Sequence, residues 1–507
     1  MISNGEVHDV IVVGGGNAGL CAALTAREHV ENILVLEKAP ESKKGGNSFF
    51  TGGRMRVPHE GIEDLVETFD WDPSDLQVEI GPYPEEDFHD DLQRASRYQC
   101  DEGLARLIAG QARADVKWLT SMGAKFLRAI GADDVKTAGN KLKQIGHDDI
   151  RHYEGGQGLV ENLTKQCLTR GIRVQYETTA RRLVRGVDGV VALIIDTPEG
   201  PKELRARSFV LACGGFEAST SLRTTYLGPG WDLAKVRGSE FNTGDGLVMA
   251  LEIGARAHGH WSGCHSVAVD FFAAEYGDRV RGDVSERVSY HYGITVDRHA
   301  KRYFDEGTDI RAFTYAVSGR NLIEKADGFA VQIFDAKTID LLRATYRTAN
   351  VTKAESDDLR VIAAEMNLDP DTLVETIKEY NAGVPESGPV DYSILDGRGT
   401  KGIAPKKSNW AQRIDTPPYT AFPVGPGITF TFGGLRVNPQ GEVIDQGGAP
   451  IPGLYAAGEM VGGIYYHNYP GGSGLTSGLV MGRAAGRSAG QRAKSLSVTA
   501  EVAESVA

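Results

Sequence analysis

Residues 10–37, VIVVGGGNAGLCAALTAREHVENILVLE, constrain the fold of this chain more than any other stretch. The apolar run 10–13 has the composition of a buried parallel strand. Gly14, Gly16 and Gly19 then spell G-x-G-x-x-G. Residues 18–29 predict a helix, residues 33–36 a second strand, and Glu37 ends it. Each glycine has its own job: a tight turn, close backbone approach to a pyrophosphate, and close helix–strand packing. The helix N-terminus turns unpaired N–H groups and the positive end of its dipole toward phosphate. A carboxylate about 20 residues on can accept both hydroxyls of a ribose, and Glu37 stands there. Three spaced glycines alone would be weak evidence. With a strand, a helix, a second strand and a terminal acid around them, they predict a dinucleotide site.

The chain has 507 residues, the length of roughly two to four structural units. Its formal net charge of -13 argues against a nucleic-acid partner, because no broad cationic face exists to neutralise phosphates. An anionic substrate must therefore be met by a local basic pocket. The five cysteines, Cys21, Cys100, Cys167, Cys213 and Cys264, lie far apart and form no C-x-x-C. That spacing argues against a redox-active disulfide, a c-type haem attachment or an iron–sulfur cluster, and it suits reduced thiols in a cytoplasmic protein. The nucleotide motif starts too near residue 1 for a secretory signal of the usual form. No apolar run is long enough to span a membrane, and nothing in the sequence reports oligomeric state.

Following Glu37, the segment KAPESKKGGNSFFTGGRMRV places Gly45, Gly46, Asn47, Ser48, Thr51, Gly52 and Gly53 where backbone could approach a flat ring closely. Residues 63–91 are acidic, aromatic and poorly periodic, which predicts a surface wrap. Leu104, Ile108, Ala112, Val116 and Leu119 have helical spacing, with Gly123 as the stop. A further helix is expected over 155–170, and strands over 172–176, 190–195 and 204–211. The last strand runs into Ala212-Cys213-Gly214-Gly215, small residues that could flank an extended nucleotide on its other side. Asp245, in NTGDG before an apolar helix, either caps that helix or holds a sugar hydroxyl. From about 265 to 425 aromatics are denser, helices are expected over 336–342 and 357–380, and no nucleotide signature occurs; this reads as an inserted domain. At 427 the glycine-rich character returns. GITFTFGGLRVNPQGEVID has the form of a hairpin, LYAAGEMVGG follows, and PGGSGLTSGLVMGRAAGRSAG reads as a glycine turn opening a small-residue helix.

The ordered set VVGGGNAGL, GGNSFFTGG, LACGGF, NTGDG, LYAAGEMVGG and PGGSGL…GRAAG resembles the FAD-dependent fumarate reductase/succinate dehydrogenase flavoprotein superfamily over nearly the whole chain. GGNSFFTGG and YYHNYPGGSGLTSG are most similar to tricarballylate dehydrogenase-like proteins. The resemblance implies an α/β (overall α+β) architecture: a Rossmann-like FAD-binding domain from 1–264 and 427–507, with an α+β capping domain over 265–426. It implies that Gly14, Gly16 and Gly19, with Asn17 and Ala18 among them, meet the pyrophosphate, and that Glu37 and Lys38 lie at the adenosine ribose. Ala180 would lie near adenine, with Ala212, Gly214 and Gly215 alongside the nucleotide. Asp245, Gly458 and Glu459 would lie near the ribityl chain, and Gly472, Ser473, Gly474 and Leu475 near the flavin ring. Members that attach FAD covalently do so through a histidine in the segment matching GGNSFFTGG. No histidine stands there, so non-covalent FAD is expected.

The same resemblance implies an oxidoreductase acting on a CH–CH bond, with hydride exchanged at the flavin and a proton moved by the cap. The segment KRYFDEGTDIR matches, with one extra residue, the family segment carrying a proton-transferring arginine, which assigns that role to Arg311 with Arg302 as the local competitor. Because an arginine is a poor base, a carboxylate, Glu306 or Asp309, is expected to assist it. His265 matches a histidine that binds a substrate carboxylate. Thr429 and Phe430 stand where the fumarate reductases carry histidine, and Tyr469 where they carry a carboxylate-clamping arginine, which argues against fumarate itself. His467 and Tyr469 remain as neutral donors or proton carriers. A tyrosine before Pro-Gly also resembles the 3-ketosteroid dehydrogenases, and Tyr315 keeps that reading open beside the carboxylate one. A flavin-binding subunit without turnover is the alternative of another class. His258 and His260 have no further ligands in view, so no metal site is expected. An electron acceptor (quinone, iron–sulfur partner or other) must complete the cycle, and the sequence does not name it.

Overall fold

The computed structural model describes residues 3–129, 134–136, 142–144, 147, 149–280, 282 and 284–506. Its main sheet grows from the opening motif. The first strand, Val7–Val13, lies between Ile33–Leu36 and the long strand Gly200–Leu211, parallel to both, with Val12 opposite Val35 and Val210. Its last four residues are buried on both faces, as expected of a parallel strand covered by helices. Arg173–Gln175 extends the sheet beyond Ile33–Leu36, and Thr179–Gly186 and Gly189–Thr197 extend it antiparallel on the other side. Pro450–Ala456 adds a parallel strand from near the far end of the chain, pairing Phe209 with Leu454.

Two helices then lock the chain ends together. The first, Asn17–Ala26, is buried along its whole length. The last, Ser473–Val506, lays Gly478, Gly482, Gly486 and Gly490 on it. A Cβ at Gly482 would stand 2.4 Å from the Ala18 carbonyl oxygen, and one at Gly486 would stand 2.2 Å from that of Ala22. Glycine at every fourth position therefore permits backbone-to-backbone contact along one helical stripe.

A second sheet is built on Tyr419–Leu435, which pairs antiparallel with Ala257–Asp270, Ala330–Phe334 and Ala354–Ser356. The strand Tyr419–Leu435 links two cores. Phe432 and Leu435 belong to the main core, whereas Ala421 joins a separate one with Ile333, Ile362 and Ile377. The positions 264/265 and 426/427, where the sequence suggested domain limits, fall inside the two long strands Ala257–Asp270 and Tyr419–Leu435.

Several local expectations need correction. Residues 63–91 do not merely wrap the surface: they hold the helices Ile62–Phe69 and most of Glu85–Ala95, and they bury Trp71, Tyr83 and Phe88. Only a short 3-10 turn, Ile339–Leu341, forms within 336–342, because the Asp335 side chain and backbone accept the Lys337 and Thr338 N–H groups as a turn. The helix expected over 357–380 is two helices, Leu359–Glu365 and Pro370–Gly383, separated by a turn at Asn367, where φ is +55°. The strand in GITFTFGG does not form a regular hairpin with Glu442–Ile444. Glu442–Ile444 pairs instead with Pro450–Ala456, and the turn before it is tied by a Val437–Val443 bridge with Ile444 N–H on the Arg436 carbonyl (2.9 Å).

Candidate active site

A continuous cavity runs from the glycine turn of the first strand to the second sheet. At its first end, Gly14 has φ +111°, and a Cβ there would stand 2.3 Å from the Ala212 carbonyl oxygen. A Cβ at Gly19 would stand 2.0 Å from the Gly14 carbonyl oxygen. The turn is bare backbone with the helix N-terminus behind it, the arrangement that receives a phosphate. Asn17 ties three segments together: its N–H donates to Ser48 Oγ (3.0 Å) and its Nδ2 to the Leu475 carbonyl (2.9 Å). Glu37 lines the cavity at the end of its strand, its Oε2 accepting from Gly15 N–H (3.0 Å) and its Oε1 from Ala39 N–H (2.8 Å). Burial pushes its carboxyl up, against those backbone donors. Lys38 Nζ donates to Asp245 Oδ2 (2.7 Å) and Thr243 Oγ1 (2.5 Å). Gly244, at φ +82°, occupies the cap of the helix Asp245–Glu252, so Asp245 does not cap it and its carboxylate lines the cavity.

Gly16, Asn17, Ala18, Gly46, Asn47, Ser48, Thr51, Gly52, Ala180, Ala212, Gly214, Gly458, Glu459, Gly472, Gly474 and Leu475 also line this space. Gly19, Gly45, Gly53, Gly215 and Ser473 stand behind the wall. A Cβ would meet Val160 at Gly45 (2.7 Å), the Gly155 backbone at Gly53 (2.7 Å) and Glu459 Oε1 at Gly215 (2.1 Å). Ser473 Oγ donates to the Pro470 carbonyl (2.7 Å) and shapes the turn. A cavity with a glycine-bare turn, a helix N-terminus and a strand-end acid fits FAD. The group's rings and phosphates need close backbone approach, and a side chain at Gly14 would push the turn off the Ala212–Cys213 backbone that holds it in place.

The other end of the cavity carries different chemistry. Register shifts flank His265 on the strand Ala257–Asp270, a local irregularity of the kind that re-aims a side chain. The His265 ring is buried, stacks on Phe430 (5.2 Å, 19°) and meets Tyr315 (5.1 Å) and Tyr469 (5.0 Å) edge-on. Its Nδ1 is a buried polar atom with no hydrogen-bond partner. Burial first, and Arg237 next, pull its pKa down to about 3, so the ring is neutral at ordinary pH. Tyr469 and Tyr315 face each other at 6.3 Å, and the Tyr469 hydroxyl accepts from Gly474 N–H (3.3 Å). Arg311 opens a 3-10 turn, Arg311–Phe313, that anchors to the sheet through Ser266 N–H on the Ala316 carbonyl (2.8 Å). It is 8 % exposed, lines the cavity and lies 5.2 Å from the Tyr315 ring centroid.

The sequence did not single out several lining residues, among them the charged Arg237, Glu286 and Arg343. Arg343 Nε donates to Glu286 Oε1 (2.8 Å) and Arg237 Nη2 to Glu286 Oε2 (3.3 Å). Burial alone would raise the Glu286 carboxyl, but Arg343, Arg237 and Arg311 bring it down to about 2. Glu286 lines the cavity and feels the charge of Arg311, whereas Glu306 and Asp309 do not line it. Glu306 is paired with Arg302, whose Nε donates to its Oε1 (3.1 Å) and whose Nη2 also contacts it; Thr295 N–H donates to it as well (2.9 Å). Arg302 also donates to the Pro405 carbonyl (2.6 Å), and neither residue of this pair lines the cavity. His467 is outside it too, with Nε2 3.2 Å from Gln99 Nε2. No signal in the sequence marked Arg237, Arg343 or Glu286, and Glu286 lies in no strand, meeting Val269 only as an isolated bridge. Among the described residues, no group of three or more His, Cys, Asp or Glu is arranged to hold a metal, and no helix is long and apolar enough to cross a membrane.

Comparison with known proteins agrees with this geometry. A family model described as "FAD binding domain" matches residues 9–475. A probable fumarate reductase of Shewanella frigidimarina (strain NCIMB 400) is 28% identical over 488 residues, covering 93% of this chain and 72% of the relative. The open conformation of a flavocytochrome c3 fumarate reductase superposes with a TM-score of 0.70 at 25% identity, over 97% of this chain and 79% of that one. A 3-ketosteroid delta1-dehydrogenase from Sterolibacterium denitrificans, solved with 1,4-androstadiene-3,17-dione, shares the fold at TM-score 0.72 and 20% identity, over 97% of this chain and all of that one.

Proposed function

The chain belongs to the FAD binding domain family, and on that premise we propose that it oxidises or reduces the carbon–carbon bond of a substrate bearing more than one carboxylate, in the manner of tricarballylate dehydrogenase-like proteins. It is an FAD-dependent oxidoreductase of the fumarate reductase kind. The observation that carries the substrate reading is the convergence of Arg237, Arg311 and Arg343 on Glu286 within the cavity. Each planar guanidinium presents a fork of donors that matches a carboxylate. Tyr469 supplies no such fork at its position, so the clamp in this reading comes from Arg237 and Arg343.

Bound FAD supplies a ring that exchanges a hydride with carbon. The chain's own residues bind, orient and move the proton. Arg311 gives a proton from an Nη atom to the substrate carbon in reduction, and receives one from that carbon at Nη in dehydrogenation. A guanidinium holds its proton too tightly to act alone. Glu286, ionised among the three arginines, balances the charge of Arg311 and helps to hold it at the cavity. His265, neutral, offers one ring nitrogen to a substrate oxygen. Tyr469 and Tyr315 close the aromatic wall and exclude water. The Arg302–Glu306 pair braces the cap in this reading and touches no substrate. Electrons leave or enter through an acceptor or donor, a quinone, an iron–sulfur protein or another carrier.

A second reading, a ketone dehydrogenase of the 3-ketosteroid kind, is favoured by the apolar wall of Phe430, Tyr465 and Tyr469 and by the edge-on rings of Tyr469 and Tyr315. Anaerobic absorbance titration of the yellow holoprotein separates the two. Addition of a panel of tricarboxylates, dicarboxylates, ketosteroids and cyclic enones, to oxidised and to dithionite-reduced protein in turn, should change the flavin spectrum with a tricarboxylate or its unsaturated counterpart. A response confined to ketosteroids or enones would replace the first reading with the second.

A further inference from the structure

Behind the wall formed by Asn47, Asn242 and Glu459 the chain buries a second carboxyl group that no step above uses. Glu217 follows the Gly214–Gly215 turn and is 0 % exposed. Its Oε1 accepts from Asn47 Nδ2 (2.5 Å) and Asn242 Nδ2 (2.6 Å), both of which line the cavity. Its Oε2 is buried and meets no N–H or O–H donor. The hydrogen-bonding neighbour of this side chain on its remaining side is another carboxyl, Glu459. Glu459 lines the cavity, and its Oε1 accepts from the N–H (2.6 Å) and hydroxyl (3.0 Å) of Thr431. Gly215 lets the two segments approach closely, since a Cβ there would stand 2.1 Å from Glu459 Oε1 and 2.2 Å from Thr431 Oγ1.

A buried carboxylate oxygen with no donor costs the full loss of its hydration. Two ionised carboxylates in contact cost more, and such pairs keep one proton between them. A hydrogen on Glu217 Oε2 removes both penalties at once, because the new O–H donates to Glu459. The other charged group in contact is Arg223, which donates from Nη1 to the backbone carbonyl of Glu217 (2.6 Å) and leaves the carboxyl itself to its neutral amides. The directions of the two acids agree with this. Burial first, and the Glu459 charge next, push Glu217 far up; burial likewise raises Glu459, against the donors Thr431 and Glu217.

We propose that Glu217 and Glu459 share one proton as an acid–carboxylate pair built into the cofactor side of the cavity, with Glu217 as the positioning residue that holds Glu459 against the bound dinucleotide. The wall then carries one negative charge instead of two beside an already anionic ligand. The shared proton rests on the geometry of this chain alone; its bearing on the cofactor rests on the FAD reading.

Infrared difference spectroscopy tests the proton directly. The holoprotein at pH 8 should show a carboxylic-acid C=O band that shifts in deuterium oxide and disappears in Glu217→Gln. The band should vanish in Glu459→Gln as well, since an amide donor at 459 lets Glu217 ionise. No such band in the wild-type minus Glu217→Gln spectrum would overturn the proposal. A band that persists in Glu459→Gln would place the proton on Glu217 by burial alone and overturn the sharing. Equilibrium binding of FAD to the apoprotein tests the positioning role. Glu217→Gln, whose Nε2 replaces the O–H donor, should bind within roughly threefold of wild type, whereas Glu217→Leu should lose roughly tenfold or more, the worth of one hydrogen bond to a charged group. A tenfold loss in Glu217→Gln would overturn that role, and it can be read even if Glu217→Leu fails to fold.

Discussion

Glu286 decides the charge balance of the cavity. It is 4 % exposed and sits among Arg343, Arg237 and Arg311, so its carboxyl is held near 2 against an ordinary 4.5. A carboxyl depressed in this way contributes stability that is fully present above about 4.5 and is lost as pH falls through about 2. Glu286→Gln should therefore flatten the acid limb of the stability curve in that window while lowering stability at pH 7. Removing one partner from a buried ion network costs roughly 3–5 kcal/mol. Urea titrations of both proteins at pH 7, 4 and 3 check this; parallel curves would mean that Glu286 is not the depressed group. His265 behaves oppositely. With a pKa of about 3 it stays neutral across the working range, so it can donate or accept a hydrogen bond but cannot clamp a carboxylate by charge.

At the scale of elements, the contact between the first and last helices joins the nucleotide turn to the chain's far end. Replacing Gly486 by Ala would gain about 1 kcal/mol of helix propensity. The added methyl would meet the Ala22 carbonyl oxygen at 2.2 Å, a backbone atom that cannot swing aside, and overpacking of this kind costs roughly 1–3 kcal/mol. The close contact wins, so Gly486→Ala should melt lower than wild type. Gly490→Ala, whose methyl would stand 3.0 Å from the Ala26 carbonyl, should melt higher than Gly486→Ala. Equal or raised melting of Gly486→Ala would show that the helices can part at no cost. Elements with a strong local period were legible from sequence. Helix Glu102–Ser121 carries Leu104, Ile108, Ala112, Val116 and Leu119 on one buried stripe, and the expected helix lies there. Helix Glu85–Ala95 was not legible, because EEDFHDDLQRA surrounds its buried Phe88, Leu92 and Ala95 with charge and the apolar stripe spans barely two turns. Over 336–342 the reverse happened: a plausible helical composition was overruled by the Asp335 turn.

The whole molecule explains why half of the site could be read and half could not. Much of the cofactor end is marked locally: Gly14, Gly16, Glu37 and the loop at Gly46–Phe50 lie within a few dozen residues, and the later stretches that join them carry glycine-rich signatures of their own. The other end of the cavity brings together Arg237, His265, Glu286, Arg311, Arg343 and Tyr469 from six separate stretches, of which only His265 lies on one of the two long strands. No period or spacing links those positions, so Arg237, Glu286 and Arg343 surfaced only in three dimensions. Both chain ends line the cofactor cavity, and GGNSFFTGG offers no histidine to form a covalent link. FAD should therefore leave with the supernatant when the protein is precipitated in acid, and its return should raise the melting temperature of the apoprotein with increasing FAD concentration. Colour retained in the washed precipitate would contradict non-covalent attachment. The central claim, that Arg311 moves the proton at this cavity, is tested most directly by single-turnover flavin spectroscopy of Arg311→Lys with the polycarboxylate that reacts in the anaerobic titration. The rate of flavin reduction or reoxidation should fall by about 10²-fold or more, the usual worth of a positioned proton carrier, at unchanged FAD content; a rate within about twofold of wild type would contradict the claim.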